Sequence, residues 1–326
     1  MLRGRIVATG SYVPENIVTN HDLEKIIDTS DEWITERTGI KERRVVNGDQ
    51  ATSDLAVEAA SIALKRAHLK PKDIDLIIVA TITADMAFPS TACILQDRLG
   101  AKNAAAFDVN AACSGFIYGL HIANGLIRSG IHNRVLLVGA EVLSKVTDWQ
   151  DRTTCILFGD GAGAAILEAT KEKRGVCSTH IGSDGSLGDL IRLPGAGSRN
   201  PCSKETILKR LNYIKMKGNE TFKVAVRTLE ELVTRTLADN SLEPSQLSLL
   251  IPHQANIRII QATAKRLGMP MERVFVNIEK YGNTSAASVP IALDEAVQTG
   301  RIQDGDYILL EAFGGGLTWA SSLIRW

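Results

Sequence analysis

The stretch DVNAACSGF, residues 108–116, joins two contrasting patterns: the run 104–109 is typical of a β-strand, and an amphipathic stretch begins at Ser114. This junction places Cys113 at the start of a helix, where unpaired backbone N–H groups and the helix dipole favour an anion. We therefore expect a lowered pKa for the Cys113 thiol, which would make it a nucleophile. An ordinary buried thiol is the alternative, since free cysteines are among the most buried residues.

Helix and strand patterns alternate on both sides of this junction, as in an α/β protein. For the first half we predict helices at 52–69, 90–99 and 114–129 and strands at 76–81, 104–109, 135–138 and 164–167. For the second half we predict helices at 220–238, 257–267 and 286–298 and strands at 247–251, 274–278, 307–312 and 319–324.

The repeated order predicts two similar lobes, 1–170 and 171–326, in which Cys113 and Asn283 occupy the same kind of strand-to-helix junction. Functional sites are then expected at the carboxyl ends of parallel strands, in a cleft where the lobes meet. The linking region 171–217 is rich in glycine and proline, and we expect a long, loop-rich excursion there. It is either a lid or binding segment, or a disordered stretch or surface insertion.

Composition excludes several function classes. The 37 basic and 37 acidic residues balance, which argues against a nucleic-acid-binding protein. An odd set of five cysteines with no CxxC pair argues against a disulfide framework and a zinc site. No apolar run reaches 18 residues, so we expect a cytoplasmic protein with reduced thiols and no membrane segment.

Two further polar residues lie at predicted strand ends. His253 follows an apolar run in IPHQANIR, and Asn283 lies at a Gly-Asn turn in EKYGNTSAASVP. Together with Cys113 they form a constellation suited to thiol chemistry. A structural histidine and a simple turn are the alternatives.

Two glycine-rich stretches need separate interpretations. EAFGGGLTW (311–319) brings backbone without side chains to a strand end, where an N–H group can stabilise an oxyanion; a tight turn alone also explains its glycines. FGDGAGAA (158–165) lacks the Gly-Lys-Ser/Thr of a phosphate loop and leads into a strand, so we interpret it as a packing turn.

Six motifs in register carry a family resemblance that runs from about residue 3 to the carboxyl end. DEWITERTGIKERR (31–44), DVNAACSGF, FGDGAGA, PHQANIR, YGNTSAASVP and EAFGGGLTWA together resemble β-ketoacyl-acyl-carrier-protein synthase III. This family belongs to the thiolase superfamily and initiates type II fatty-acid synthesis. The resemblance implies a duplicated five-layer α-β-α-β-α fold.

The resemblance also implies catalytic roles. Cys113 would take an acyl group from acyl-CoA, and the bulky Phe88 predicts a short starter such as acetyl. His253 and Asn283 would bind the carbonyl oxygen of malonyl-ACP (ACP, acyl carrier protein) during loss of CO2. The N–H groups of Cys113 and Gly315 would form the oxyanion hole, and Phe222 an apolar wall. The substrates would be acyl-CoA and malonyl-ACP, with no metal or redox cofactor.

The binding residues follow from the same resemblance. Trp33, Arg37 and Arg152 match positions that hold the adenine and phosphate end of CoA, and Phe88 matches a residue that caps the acyl pocket across a homodimer interface. The implied ACP-binding set is Gln254, Ala255, Asn256, Ile257, Arg258 and Lys265. Arg258 and Lys265 are seven residues apart and share a helix face, which otherwise would be only a solvated basic surface.

Two positions depart from the family pattern: Asn110, where a small residue is more usual, and the long basic stretch 193–217. Three rival functions remain at this stage. A cysteine hydrolase would also use Cys, His and Asn, but it would lack a role for the glycine motifs. A related thiolase-superfamily synthase with another acyl-CoA starter and a non-enzymatic scaffold complete the alternatives.

Overall fold

The computed structural model describes residues 2–326. Its strands are β1 (Arg3–Tyr12), β2 (Ile17–Thr19), β3 (Glu42–Arg44), β4 (Leu76–Ala80), β5 (Ala105–Val109), β6 (Arg134–Glu141), β7 (Gly161–Thr170), β8 (Gly175–Ser183), β9 (Ile191–Arg192), β10 (Lys215–Met216), β11 (Leu249–Pro252), β12 (Tyr307–Gly314) and β13 (Thr318–Arg325). Its α-helices are α1 (Asn20–Glu24), α2 (Asp31–Thr38), α3 (Thr52–Arg66), α4 (Thr91–Leu99), α5 (Gly115–Arg128), α6 (Lys204–Leu208), α7 (Gly218–Asp239), α8 (Ile257–Arg266), α9 (Ile278–Tyr281) and α10 (Ser288–Gln298).

The first half of the chain forms a five-stranded sheet in the order β1-β7-β6-β4-β5. Strand β4, LIIVA, is buried at every position and pairs in parallel with β5 and β6. An apolar strand of this kind requires a covered sheet on both faces. Strand β7 runs antiparallel to both β6 and β1, so the sheet is mixed.

The second half repeats this arrangement as the sheet β8-β13-β12-β11. Here β11 and β12 are parallel, and β13 runs antiparallel to β12 and β8. The prediction of a strand at 274–278 is wrong. At its place the chain makes one parallel bridge between Val274 and Leu250 and then turns into α9, so the counterpart of β5 is reduced to a single pair.

Five layers result from this repeat. Helices α5 and α10 pack between the two sheets in one apolar core. Helices α3 and α4 cover the outer face of the first sheet, and α7 and α8 cover the outer face of the second. The predicted α-β-α-β-α architecture is therefore confirmed. None of the helices within residues 2–326 is both long and apolar enough to cross a membrane.

The linking region contains more regular structure than its composition predicts. The loop-rich excursion predicted over 171–217 is wrong for its first part, because β8 is an integral strand of the second sheet, and the rest includes the short helix α6. Gly175 opens β8 at φ 96°, and a Cβ there would lie 2.4 Å from the carbonyl oxygen of Gly4. Gly175 is therefore required by the backbone conformation at the first residue of β8, and it does not indicate a loop.

The stretch 193–217 is tied to the body of the protein. Arg210 forms a bidentate ion pair with the buried carboxylate of Asp148, and Lys215 lies 3.6 Å from the same group. The amide of Ile214 donates to the carbonyl of Val146 at 2.9 Å. These contacts hold the basic excursion against the segment that follows β6.

Candidate active site

Cys113 lies on a single 3-10 turn, Ala112–Ser114, between the end of β5 and the start of α5. Ala112 takes a left-handed conformation with φ 46°. The second half copies this geometry in the turn Ser285–Ala287 before α10, where Ser285 has φ 48°. The predicted junction is confirmed, and the repeat aligns Asn110 with Asn283, so the unusual Asn110 occupies the first-half counterpart of a site residue.

The expected lowering of the Cys113 pKa is wrong. Burial raises the pKa of this thiol to about 11, because the charged thiolate loses solvation. The hydroxyl of Ser285 and the backbone N–H groups of Cys113 and Gly315 act in the opposite direction and lower it, but they do not offset burial. The resting thiol is therefore protonated, and its reaction requires a group that accepts the proton.

His253 directly follows β11 and is buried. Its backbone N–H donates to the carbonyl of Glu311 at 2.8 Å, which ties it to the neighbouring strand β12. Burial lowers the pKa of His253 to about 3, so its imidazole is neutral at physiological pH. A neutral imidazole offers one N–H donor and one acceptor nitrogen.

Asn283 is fixed by three backbone-directed hydrogen bonds. Its amide N–H donates to Leu157, and its carbonyl accepts from Gly159 at 3.1 Å. Its side-chain Oδ1 accepts from the Ser285 N–H at 2.9 Å. Because the amide oxygen is engaged in this way, the side chain presents its NH₂ group as the donor.

The glycine run at the end of β12 brings backbone against the nucleophile. A Cβ placed on Gly314 would lie 2.6 Å from the Cys113 amide nitrogen and 2.9 Å from its Cβ. Only glycine permits this approach. The next residue, Gly315, directs its N–H group toward the Cys113 sulfur, where it lowers the pKa of the thiol.

The glycines of FGDGAGAA serve packing, as expected. A Cβ on Gly159 would lie 2.3 Å from the Tyr281 carbonyl oxygen, and one on Gly163 would lie 2.7 Å from the backbone of Pro290 and Ile291. Both positions therefore press the first half of the chain against the segment that carries Asn283.

Trp33 lies on α2 between two guanidinium groups. The Arg152 guanidinium is 4.1 Å from the centre of the indole ring, and that of Arg37 is 4.7 Å from it. The cluster also contacts the start of α8, since Asn256 Nδ2 donates to the carbonyl of Arg37 at 3.0 Å. An aromatic ring flanked by arginines suits a purine and phosphate ligand.

The predicted ACP-binding set divides into buried and exposed residues. Gln254 is only 1% exposed; its amide donates to Pro252 and Phe275 and accepts from the Asn277 N–H. Because its polar atoms are satisfied inside the protein, we remove it from the set as a correction.

The other members of the set surround the start of α8. Asn256 caps this helix by accepting from the Arg258 N–H at 2.9 Å. Arg258 and Lys265 are exposed, whereas Ala255 and Ile257 are half-buried. Phe222, on α7, is half-buried with its ring 5.7 Å from the Arg258 guanidinium, so its place as an apolar wall beside the substrate stays a prediction.

Sequence reasoning missed Glu141, at the end of β6. Its carboxylate is fully buried and accepts from Thr81 Oγ1, the Ile82 and Thr83 amides, and Thr83 Oγ1 at 2.6–3.3 Å. Burial nevertheless raises the pKa of Glu141 to about 7. The signal in the sequence was an acidic residue at the carboxyl end of the apolar run VLLVGAE.

Comparison with known proteins agrees with this geometry. The chain matches the family model of 3-oxoacyl-acyl-carrier-protein (ACP) synthase III over residues 107–185 and the model of its C-terminal part over 237–326. A β-ketoacyl-ACP synthase III from Caldanaerobacter subterraneus is 56% identical over 98% of this chain and 97% of that protein. One from Alkalilimnicola ehrlichii is 55% identical over 100% of both chains.

The crystal structure of 3-oxoacyl-ACP synthase III from Aquifex aeolicus superposes with a TM-score of 0.93 at 51% identity, over 99% of this chain and 100% of that one. The chain belongs to the 3-oxoacyl-ACP synthase III family. The resemblance identified in the sequence is confirmed, and with it an acyltransferase that acts as the initiating condensing enzyme of fatty-acid synthesis. Synthase III membership favours neither the hydrolase, nor the scaffold, nor a synthase of a specialised pathway.

Proposed function

We propose that Cys113 carries the acyl group in this condensation, with acetyl-CoA as the starter, and that malonyl-ACP supplies the two added carbons. The observation that carries the proposal is the convergence of both lobes on Cys113. Gly314 of the second lobe contacts the Cys113 backbone, and the Asn283 amide is fixed by the turn whose Ser285 hydroxyl acts on the thiol.

In the first half-reaction, Cys113 sulfur bonds to the thioester carbonyl carbon of acyl-CoA. The carbonyl oxygen becomes an oxyanion, which the N–H groups of Cys113 and Gly315 stabilise. The bond to the CoA sulfur then breaks, and CoA leaves with the proton that the thiol has lost. The acyl group remains on Cys113 as a thioester.

In the second half-reaction, malonyl-ACP loses CO2 and its thioester becomes an enolate. His253 is neutral, so it offers an N–H donor to the developing oxygen charge together with the Asn283 amide. No base is needed, because the electron pair comes from the C–CO2 bond. The enolate carbon attacks the acyl-Cys113 carbonyl, and the C–S bond breaks, which releases β-ketoacyl-ACP and leaves Cys113 as a thiolate. The thiolate takes up one proton from water to restore the thiol. Phe222 forms an apolar wall for the malonyl carboxylate.

Substrate binding follows the surface around this cleft. We assign the adenine and phosphate end of CoA to Trp33, Arg37 and Arg152, whose aromatic and cationic groups already stack. We assign ACP to the surface at the start of α8, formed by Ala255, Asn256, Ile257, Arg258 and Lys265, where the exposed cations attract an acidic partner.

A homodimer is part of this proposal. Strand β5 is the edge of the first sheet, and apolar side chains are exposed beside it, including Phe107 and Phe88, which is 85% exposed. An apolar, unpaired edge strand favours pairing with another chain. Pairing between two copies of β5 would bring Phe88 of each chain to its partner and let it cap the acyl pocket, which favours a short starter.

The remaining assignments follow from the chemistry. Both half-reactions are proton, acyl and carbon transfers by side chains and backbone N–H groups, so we assign no metal or redox cofactor. We place the reaction in the cytoplasm, because Cys113 must remain a reduced thiol. The two lobes, 1–170 and 171–326, each supply part of the site: Cys113 from the first, and His253 and Asn283 from the second.

The experiment is a turnover assay with acetyl-CoA and malonyl-ACP, read as β-ketoacyl-ACP and CO2 formed. We expect equal amounts of both products from the wild-type protein and none from Cys113→Ser. Condensation by Cys113→Ser at the wild-type rate would overturn the nucleophile assignment.

The dimer is tested separately with Phe107→Asp, which should lower the oligomeric state measured by light scattering. An unchanged oligomeric state in this variant would overturn the edge-strand dimer.

A further inference from the structure

Three groups meet at the nucleophile, and the two half-reactions leave open which of them holds the thiol proton before CoA takes it. They are the Cys113 thiol, the Ser285 hydroxyl and the Glu141 carboxyl group. Ser285 and Glu141 are buried in the central layer between the sheets, and Cys113, beside them, is partly exposed. A proton that leaves Cys113 toward this layer therefore needs a protein group to receive it.

The backbone places Ser285 between the other two. A Cβ on Gly139, two residues before Glu141 on β6, would lie 2.3 Å from the Ala286 carbonyl oxygen. A Cβ on Gly115, two residues after Cys113, would lie 3.5 Å from the Ala286 side chain. The turn that holds Ser285 is thus wedged between the strand of Glu141 and the helix of Cys113.

The Glu141 side chain points into this wedge. Gly139 and Glu141 are two residues apart on β6 and share a face of the sheet, the face that packs on the central layer. Four donors from the segment 81–83 surround the carboxylate, so it is held in one orientation. Its partner in the β6–β7 ladder, Gly161, has no side chain to cover it.

Ser285 Oγ is buried and has no hydrogen-bond partner among residues 2–326. It nevertheless acts on both neighbours, since it lowers the pKa of the Cys113 thiol and that of the Glu141 carboxyl group. A buried hydroxyl without a fixed partner can rotate to donate to one neighbour while it accepts from the other. No step of the condensation described above uses it.

We propose that Ser285 and Glu141 form a proton relay for Cys113. As the sulfur attacks the thioester carbon, its proton passes to Ser285 Oγ, and the Ser285 hydroxyl proton passes to the Glu141 carboxylate. When the bond to the CoA sulfur breaks, the same path returns the proton to the leaving thiolate. The net change is acyl transfer with release of neutral CoA, and Glu141 is a carboxylate again.

The charges support this direction of transfer. The thiol pKa of about 11 is too high for spontaneous ionisation, whereas a carboxyl group with a pKa of about 7 is available as a base at neutral pH. On the turn Ala112–Ser114, the titratable group that interacts with Glu141 is the thiol of Cys113. The other elements around Glu141 present hydroxyls and amide N–H groups, from Thr81, Ile82, Thr83 and Ser285.

The relay rests on the assignment of Cys113 as the nucleophile, and the test separates the two. The rate of acetyl transfer from acetyl-CoA to the protein is measured by rapid quench and intact mass from pH 5.5 to 8.5. For the wild type we expect this rate to rise with pH and level off above about 7. Glu141→Gln and Ser285→Ala should lower the plateau ~10²-fold, and Glu141→Gln should remove the rise.

Matched controls come from the same fold. Glu311→Gln replaces another fully buried carboxyl group, whose pKa burial raises to about 8, on the face of β12 that meets α7 and α8. Ser288→Ala removes a buried hydroxyl one helical turn from Ser285. Both should keep the wild-type pH profile. Ala112 already adopts the left-handed conformation in the first half, so alanine fits at position 285.

A second readout separates a relay from a structural role. Decarboxylation of malonyl-ACP without acyl-CoA uses His253 and Asn283, so Glu141→Gln and Ser285→Ala should retain it within about twofold, and Glu141→Asp should recover part of the acylation rate. Unchanged acylation in both variants, or equal loss of acylation and decarboxylation, would overturn the relay. A wild-type protein that takes no acetyl group at Cys113 would instead overturn the nucleophile assignment, and the relay with it.

Discussion

Gly314 and Cys113 come from opposite halves of the chain, yet their backbones touch: a Cβ on Gly314 would lie 2.6 Å from the Cys113 amide nitrogen. This contact sets the position of the neighbouring Gly315 N–H relative to the sulfur. The oxyanion hole proposed for the acyl thioester therefore depends on a glycine that itself donates no hydrogen bond to the substrate.

The first prediction tests this contact. Gly314→Ala forces the nucleophile turn and the end of β12 apart, because the added methyl group meets backbone atoms that cannot move freely. We expect acetyl transfer to Cys113 to fall at least ~10²-fold, the effect typical of losing one oxyanion donor. The measurement is the single-turnover acylation rate, with Gly125→Ala as control because its Cβ meets nothing within 4 Å. Equal rates in both variants would contradict the contact's role.

The second prediction separates the two half-reactions. His253 is neutral and stabilises the enolate in our account, so His253→Ala should leave acetylation of Cys113 within a few-fold of wild type. Decarboxylation of malonyl-ACP should fall by about 10²–10³-fold. Both rates are measured on the same protein preparation. Blocked acylation with intact decarboxylation would show that the role assignment is reversed.

The third prediction concerns the nucleotide end of CoA. Arg152→Ala removes a guanidinium that stacks 4.1 Å from the Trp33 ring, and we expect the KM for acetyl-CoA to rise about 3- to 30-fold with little change in kcat. The control substrate is acetyl-pantetheine, which lacks the nucleotide and should show the same KM with both proteins. An equal KM increase for both thioesters would contradict the assignment.

The fourth prediction concerns ACP. Lys265→Glu reverses an exposed charge on the proposed α8 surface, so we expect the KM for malonyl-ACP to rise several-fold and to depend less on salt. The KM for acetyl-CoA should not change. Lys65→Glu is the control, since this exposed lysine lies on α3, on the outer face of the first sheet and away from α8 and β5. Equal effects of the two reversals on malonyl-ACP would contradict a specific docking surface.

The fifth prediction is a pH dependence of stability. Burial raises the pKa of Glu311 to about 8, and its carboxylate oxygens have no hydrogen-bond partner within the described structure, whereas an unfolded glutamate titrates near about 4.3. Between these values the folded state binds more protons, so this group's contribution to stability falls as pH rises toward 8. Glu311→Gln cannot ionise and should gain Tm relative to wild type between pH 5 and 8.5. A Tm difference that does not change with pH would contradict this environment for Glu311.

Much of the architecture could be predicted because the order of apolar and polar residues within short segments indicates a helix or a strand. The apolar run that became β4 and the helix that follows Cys113 are recognisable from a few consecutive residues. The same holds for His253 and Asn283, which stand at the ends of such runs. The repeat of these patterns predicted two similar lobes, and the five layers were implied by the family resemblance.

The remaining features depend on contacts between distant parts of the chain. The pKa of Cys113 is set by burial under the second lobe, which helix position alone does not reveal. Gln254 lies in a motif with exposed neighbours, but its side-chain amide donates to the Phe275 carbonyl and accepts from the Asn277 N–H inside the protein. Glu141 and Ser285 are 144 positions apart in sequence and meet only when the lobes pack. Strand β8 could not be predicted from the sequence, because its glycines are also typical of loops.

The measurement that tests the central claim most directly is the intact mass of the protein after incubation with acetyl-CoA and then with malonyl-ACP. The account predicts a gain of one acetyl group, located on Cys113 by peptide mapping, and its loss as β-ketoacyl-ACP appears. No adduct with acetyl-CoA, but one with longer acyl-CoAs, would contradict the acetyl starter alone. No adduct from any acyl-CoA would contradict the assignment of Cys113 as the acyl carrier.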